Sequence, residues 1–291
     1  MKLFLLLIMG ISLEARSAVY DNDNRQEVFS APQSIQNLAK SVLGRFPLDS
    51  LTTKGENYEV SSVTLSEKHR SNCSSVKFSE QRIGPNCTGF LVGKNIAITA
   101  GHCIKDDFDC SQFYWGFDFL YKKANDQSFL KLAKNNVYRC QKILARKYEH
   151  NEGNDYTIFQ LDRNVTDRLP LELDFTDKNL QETPIFTLGH PSGLPMKYTN
   201  SGIVHTNFEK VFYSNLDTFG GNSGGPVFDE NSLKVIGIVS MGNADYVWNS
   251  GNSCKIIKVC KNGDKCTPSI SSKISQLKND YELAIKNLSL N

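Results

Sequence analysis

The sequence predicts an all-β fold, either a barrel or a sandwich. Short β-rich runs recur along the chain, and clusters of Gly, Asn, Asp and Pro separate them. Many short strands joined by such turns are typical of all-β domains. The runs are residues 90–92, 96–99, 156–161, 184–188, 202–204, 211–216 and 235–240.

One helix is predicted at the end of the chain, over residues 270–288. Its apolar residues recur with a spacing near 3.6, which indicates one buried helical face. They are Ile270, Ile274, Leu277, Tyr281 and Ile285.

The composition of the 291 residues excludes several classes of protein. The 33 Lys and Arg residues nearly balance the 31 Asp and Glu residues, giving a net charge of +2, which is unlike a polybasic nucleic-acid-binding protein. Hydrophobic residues make up 40% of the chain, so disorder throughout is excluded. No apolar run reaches 18 residues, so we expect no transmembrane helix in the mature protein.

The first 18 residues have the pattern of a secretory signal peptide. Lys2 precedes the apolar stretch 3–13, and small residues follow at Ala15, Ser17 and Ala18. Any of these three could mark the cleavage point. The alternative is a buried N-terminal helix, but Glu14 and Arg16 end the apolar run without a cap.

Export places the chain in an oxidising compartment, so we expect its eight cysteines to pair with one another. The alternative is a zinc site at Cys254, Cys260 and Cys266. Their intervals of five residues are longer than the usual ligand spacing, which disfavours zinc. Residues 19–70 are polar, and we interpret them as an N-terminal extension that lies over the domain or is loosely ordered. The main domain is then expected over residues 71–291.

Three segments carry residues of one catalytic chemistry, in the order His, Asp, Ser. His102 follows a predicted strand, Asp155 begins another, and Ser223 lies in the glycine-rich turn 220–226. They are 53 and 68 residues apart in sequence. A serine hydroxyl needs a positioned base to act as a nucleophile, and a buried carboxylate can orient an imidazole for that task.

The glycines beside Ser223 have a physical role of their own. The backbone N–H groups of Gly221 and Ser223 can point together at a developing oxyanion only where no β-carbon obstructs the turn. Such donors are worth roughly 3–4 kcal/mol each in a transition state.

Together these segments resemble the trypsin-like (chymotrypsin-fold) serine proteases, over about residues 70–285. TAGHC at 99–103, the Asp155 strand and GNSGGP at 221–226 occur in that family's order. Residues 188–195 and 215–223 resemble the secreted bacterial branch that includes the glutamyl endopeptidases. The resemblance implies two perpendicular six-stranded antiparallel barrels, with the active site in the cleft between them, and a C-terminal helix.

Residue by residue, the resemblance implies that His102 is the general base, Asp155 the orienting acid and Ser223 the nucleophile. It also implies a Cys87–Cys103 disulfide that tethers the His102 loop. The six other cysteines allow 15 pairings that the sequence does not separate. In animal members a Cys shortly precedes the nucleophile; here Phe219 is the nearest residue, so that disulfide is expected to be absent or rerouted.

The same resemblance places Asp217, six residues before Ser223, at the base of the primary substrate pocket, with Ser240 and Gly242 along one wall. A carboxylate there would favour Arg or Lys before the scissile bond. The alternative is that Asp217 caps a turn by hydrogen-bonding to backbone. Preference for Glu is less expected, because Val239 stands where glutamyl-specific relatives carry a pocket His.

The sequence therefore predicts a secreted or periplasmic serine endopeptidase that acts through an acyl-enzyme. We expect a monomer that acts on polypeptides, with no metal or organic cofactor, no nucleic-acid partner and no membrane association after signal removal. Two alternatives remain: a catalytically inactive, protease-like binding module and a serine esterase. Common esterases carry the triad in the order Ser, Asp, His on an α/β sheet, which disfavours the second.

Overall fold

The computed structural model describes residues 15–16, 19–149, 153–241, 244–261 and 266–289. They form a mostly β protein with two closed six-stranded antiparallel barrels, which confirms the fold expected from the resemblance. Most of the predicted signal segment (residues 1–14 and 17–18) lies outside the described residues. Within the described ranges, no helix is both long and apolar enough to span a membrane.

The first barrel contains six strands. Around the barrel their order is β5-β6-β3-β2-β1-β4, and β4 pairs back onto β5. The strands are β1 (Val42–Pro47), β2 (Cys87–Leu91), β3 (Ile96–Thr99), β4 (Phe113–Phe117), β5 (Val137–Glu149) and β6 (Asn154–Leu161).

The second barrel has the order β7-β10-β11-β12-β9-β8 and closes through the pairing of β8 with β7. A short strand, Arg25–Glu27, extends this sheet by pairing with the start of β8. The barrel strands are β7 (Pro184–Gly189), β8 (Lys197–Asn207), β9 (Val211–Ser214), β10 (Pro226–Asp229), β11 (Val235–Met241) and β12 (Ser269–Lys273).

Smaller elements surround the barrels. The helices are α1 (Gln33–Ala39), α2 (Leu65–Lys68), α3 (Asp107–Ser111) and α4 (Lys278–Ser289). Short 3₁₀ turns are Val28–Ser30, Leu48–Ser50, Ser128–Leu130, Lys134–Asn136, Pro191–Gly193 and Ile274–Leu277. The remaining strands are Ala15–Arg16 with Cys266–Thr267, Val19–Tyr20 with Val259–Cys260, Leu51–Lys54 with Asn57–Val60 and Lys131–Ala133, and Tyr246–Asn249 with Cys254–Ile257.

Alternation along the strands builds the core and joins the barrels. In β3, Ala97 lies in the cluster that fills the first barrel, whereas its neighbour Ile98 lies in a cluster shared with the second barrel. Successive side chains of a strand point to opposite faces, which accounts for this division. Phe186 and Phe228 stack in the shared cluster with their ring centroids 4.7 Å apart. The barrels are therefore held together by buried apolar surface.

The predicted C-terminal helix exists but begins later than its apolar spacing suggested. Residues 269–273 form β12, which pairs with β9 and β11, and a 3₁₀ turn precedes α4. Ile274 and Leu277 are buried in this turn. A strand with partners on both sides outweighed the local helical spacing, because pairing and burial override a weak local preference.

The expected domain start at residue 71 is too late. Strand β1 lies between β2 and β4 inside the first barrel, and residues 25–27 extend the second sheet. Much of the segment expected as an extension is therefore part of the domain. The prediction failed because Gly44, Arg45 and Pro47 interrupt the apolar pattern of β1, which leaves Val42, Leu43 and Phe46 as its buried apolar residues.

Candidate active site

The first barrel brings His102 and Asp155 together. Strands β3 and β6 are antiparallel, and Thr99 pairs with Thr157, so the end of one strand lies beside the start of the other. Asp155 Oδ2 lies 2.8 Å from Nδ1 of His102, and Asp155 Oδ1 accepts the His102 backbone N–H at 3.0 Å. An ionised carboxylate only accepts hydrogen bonds, so Nδ1 carries the hydrogen and Nε2 is left free to take a proton.

The second barrel supplies a third donor to Asp155. The hydroxyl of Ser240, on β11, donates to Asp155 Oδ2 at 2.6 Å. Asp155 is only 4% exposed, so these three donors replace the water that it has lost. Ser240 was expected in a pocket wall, whereas its hydroxyl binds the carboxylate that orients His102. Gly242, the other expected wall residue, lies outside the described residues.

Ser223 lies in the turn between β9 and β10, close to the His102 loop. Its carbonyl accepts the N–H of Thr88 at 2.8 Å and is 3.6 Å from Sγ of Cys103, the residue after His102. Within the described part of the chain, the Ser223 hydroxyl and the His102 ring share no hydrogen bond. Such contacts are often long without substrate and shorten when it binds.

The Ser223 turn holds two backbone N–H groups in fixed peptide planes. Among the described residues, the N–H groups of Gly221 and Ser223 have no acceptor. Their peptide planes are fixed through the opposite ends, because the Gly220 carbonyl accepts from Ser192 at 2.5 Å and the Asn222 carbonyl accepts from Gly225 at 2.8 Å. Gly221 has a φ of +97°, and a Cβ there would collide with the His190 carbonyl oxygen. The conformation of the turn therefore requires glycine at residue 221, and the carbonyl hydrogen bonds fix the orientation of both N–H groups.

Three disulfides are described in full. Cys87–Cys103 is present, as the resemblance implied, and the other two are Cys73–Cys254 and Cys110–Cys140. Cys260 is also disulfide-bonded. The zinc alternative at Cys254, Cys260 and Cys266 is therefore wrong, because Cys254 and Cys260 are in disulfides. Cys87, His102 and Cys103 bring potential ligand atoms within 4.8 Å of one another, but a disulfide sulfur is no thiolate ligand.

Comparison with known proteins decides the family. Residues 87–238, more than half of the chain, match the family described as the trypsin-like peptidase domain. This chain belongs to that family. The glutamyl endopeptidase of Bacillus licheniformis is 26% identical over 155 residues, which are 52% of this chain and 47% of the relative. The chain thus spans about half the length of the curated relative it matches.

Two solved structures share the fold of this trypsin-like peptidase. A Glu endopeptidase in complex with MPD superposes with a TM-score of 0.54 and 16% identity, covering 94% of this chain and 100% of the other. A serine endoprotease from Yersinia pestis gives a TM-score of 0.50 and 12% identity, covering 87% of this chain and 66% of the other. Both support the two-barrel fold.

In this trypsin-like peptidase, both carboxylate oxygens of Asp217 accept hydrogen bonds from the chain's own N-terminal segment. Its Oδ1 accepts the backbone N–H of Tyr20 at 2.8 Å, and its Oδ2 accepts that of Asn24 at 2.9 Å. The residue is 1% exposed, and burial raises its pKa to about 7 in spite of the two N–H donors. This is the backbone-bonding alternative considered for Asp217, although the donors come from a remote segment and not from a local turn.

The segment that binds Asp217 was missed by the sequence analysis. Val19 is fully buried beside Phe219, and the buried Arg25 guanidinium lies 3.8 Å from the centroid of the Phe219 ring. Arg25 also makes two hydrogen bonds to Asp23, at 2.9 and 2.6 Å. The only available signal was the close spacing of Asp23 and Arg25. Phe219 thus packs against the N-terminal segment at the position where animal members carry a cysteine.

A second set of contacts, between the Ser223 turn and the buried residues Thr88 and His190, has no counterpart in the sequence motifs. His190 lies in the loop between β7 and the turn Pro191–Gly193, where it is fully buried, and burial lowers its pKa to about 4. Its backbone N–H donates to the hydroxyl of Thr88 at 3.1 Å. The sequence carries no signal for this contact, because a β-branched residue is ordinary in a strand.

Proposed function

We propose that this protein is an exported serine endopeptidase that hydrolyses peptide bonds with His102, Asp155 and Ser223. One observation carries the proposal. An oriented Asp155–His102 pair occurs together with two N–H groups of the Ser223 turn that have no acceptor among the described residues, in a chain that belongs to the trypsin-like peptidase family. A binding module would have no need for donors held open in this way.

In the proposed mechanism, the Ser223 hydroxyl attacks the substrate carbonyl while Nε2 of His102 takes its proton. Asp155 keeps the ring in the required tautomer and stabilises the imidazolium that forms. The N–H groups of Gly221 and Ser223 bind the oxyanion. His102 then protonates the leaving amine. A water molecule next attacks the acyl-enzyme while His102 takes a proton from it, and His102 returns that proton to the Ser223 oxygen as the acid product leaves.

The proposal does not assign the Arg or Lys preference to Asp217. A cationic side chain would have to compete with the N–H groups of Tyr20 and Asn24 for both carboxylate oxygens. The carboxylate is also 1% exposed, and its raised pKa reduces its negative charge near neutral pH. We therefore expect residue preference before the scissile bond to be set by groups other than Asp217.

We also propose that the chain is secreted or periplasmic and that residues 1–18 are removed as a signal peptide. The described disulfides support an oxidising compartment. Val19 is buried in the domain, so the mature chain should begin at or shortly before it. N-terminal sequencing of the exported protein tests this boundary.

The test of the activity compares single variants of the signal-free protein. A fluorophosphonate probe and a fluorogenic peptide library should react with the wild type, and both reactions should be lost in Ser223→Ala and in His102→Ala. Ser232→Ala, which changes an exposed serine on the second barrel, is the matched control and should react like the wild type. A wild-type protein that neither binds the probe nor cleaves any peptide would favour the binding module.

A further inference from the structure

Thr88, on β2, contacts the Ser223 turn through both its side chain and its backbone. The residue is fully buried and follows Cys87 of the disulfide that tethers the His102 loop. Its hydroxyl donates to the carbonyl of Gly221 at 2.7 Å, and its N–H donates to the carbonyl of Ser223 at 2.8 Å. One residue of the first barrel thus binds both residues that supply the oxyanion donors.

The hydroxyl of Thr88 is satisfied in both directions. It accepts the backbone N–H of His190 at 3.1 Å while it donates to Gly221. The Thr88 carbonyl accepts the hydroxyl of Thr99 at 2.7 Å. Thr88 therefore has a fixed orientation, because its N–H, its carbonyl and its hydroxyl all have hydrogen-bond partners.

These bonds complete a pattern along four consecutive peptide groups, from residue 220 to residue 224. The first and third carry the oxyanion N–H groups, and Ser192 and Gly225 hold their carbonyls. The second and fourth have their carbonyls held by the hydroxyl and the N–H of Thr88. The second peptide joins the two donor peptides directly, so its rotation would turn both donors away from a common point.

We propose that Thr88 is a positioning residue for the oxyanion hole, acting through the hydrogen bond from its hydroxyl to Gly221. The inference rests on the proposed peptidase activity and adds a residue that touches neither substrate nor reacting atoms. Valine has nearly the same shape but would leave the Gly221 carbonyl and the His190 N–H without partners. Serine would keep the hydroxyl and lose only the methyl group.

The expected effect lies in the transition state and not in substrate binding. In Thr88→Val we expect kcat to fall about 10- to 100-fold, which is no more than the fall caused by removing one oxyanion donor. KM should stay within about two-fold of the wild-type value. The inhibition constant of a peptide boronate, whose tetrahedral adduct places an oxygen in the hole, should rise by the same factor as kcat/KM falls. Thr88→Ser should restore kcat to within about three-fold.

The experiment measures these constants for wild type, Thr88→Val, Thr88→Ser and the control Ser41→Ala, well below each melting temperature. Ser41 also buries a hydroxyl that donates to a backbone carbonyl, that of Leu169, away from the Ser223 turn. Its loss should lower the melting temperature and leave kcat unchanged. If Thr88→Val does not fold, Thr88→Ala removes the same hydroxyl from a smaller side chain.

The proposal is overturned if Thr88→Val keeps kcat and boronate affinity within two-fold of the wild type, or if Thr88→Ser is as impaired as Thr88→Val. A wild type that does not react with the fluorophosphonate probe is a separate outcome, because it removes the proposed activity itself. Labelling of the wild type together with an unaffected Thr88→Val removes only the role of Thr88.

Discussion

Replacing Asp217 by Asn should change how stability depends on pH. Burial raises the pKa of the folded-state carboxyl from its ordinary value of 3.8 to about 7, with Asp23 adding to the rise and Arg25 opposing it. A raised pKa contributes stability that is complete below the unfolded value and is lost as the pH rises through the folded value. About three pKa units at 1.36 kcal/mol each correspond to about 4 kcal/mol.

Asn does not titrate, but its amide nitrogen cannot accept one of the two N–H groups that bind Asp217, so the Asp217→Asn change should lower the free energy of unfolding near pH 4. Urea unfolding in a Ser223→Ala background, which prevents self-digestion, measures this difference and how it changes with pH. Between pH 4 and pH 7 the protein that keeps Asp217 should lose up to about 4 kcal/mol relative to the Asp217→Asn variant. Asp21→Asn, which changes an exposed carboxylate in the N-terminal segment, is the matched control. If the free energies of unfolding of the two proteins change in parallel from pH 4 to pH 8, the folded-state pKa of Asp217 is not raised and the carboxyl is not buried under the N-terminal segment.

The remaining predictions concern the site and the scaffold. Asp217→Asn should leave the cleavage profile of a peptide library unchanged. If the variant loses a preference for Arg or Lys before the scissile bond, Asp217 is part of the substrate pocket after all. Ser240→Ala removes the 2.6 Å hydrogen bond to Asp155 and should lower kcat/KM about ten-fold; an effect below two-fold would contradict its orienting role. The double change Cys110→Ser and Cys140→Ser should lower the unfolding free energy by about 3–4 kcal/mol with activity retained, measured by urea unfolding. An unchanged free energy would count against that cross-link.

Local motifs were the part of the site that the sequence could predict. Each of the three expected triad residues, His102, Asp155 and Ser223, lies in a short run of characteristic residue types. The Cys87–Cys103 disulfide closes a short loop that contains His102. The structure brings His102 and Asp155 within hydrogen-bonding distance, as expected of paired strands that end at one edge. Chemistry that depends on neighbours in sequence leaves a pattern in the sequence.

Contacts between remote segments left no such pattern. Asp217 and Tyr20 are 197 residues apart, and nothing near either residue indicates its partner. Thr88 is a β-branched residue in a strand, which is ordinary whether or not its hydroxyl binds the Ser223 turn. The late start of α4 has the same origin, since strand partners from elsewhere in the chain decided the state of residues 269–273.

Mapping the site of fluorophosphonate modification by mass spectrometry tests the central claim most directly. The signal-free wild type should take up one adduct per chain, on the peptide that contains Ser223, and His102→Ala should take up none under the same conditions. Parallel cleavage of a peptide substrate should stop as the adduct forms. An adduct on another serine, or a cleaving enzyme without an adduct on Ser223, would contradict the assignment of the active site.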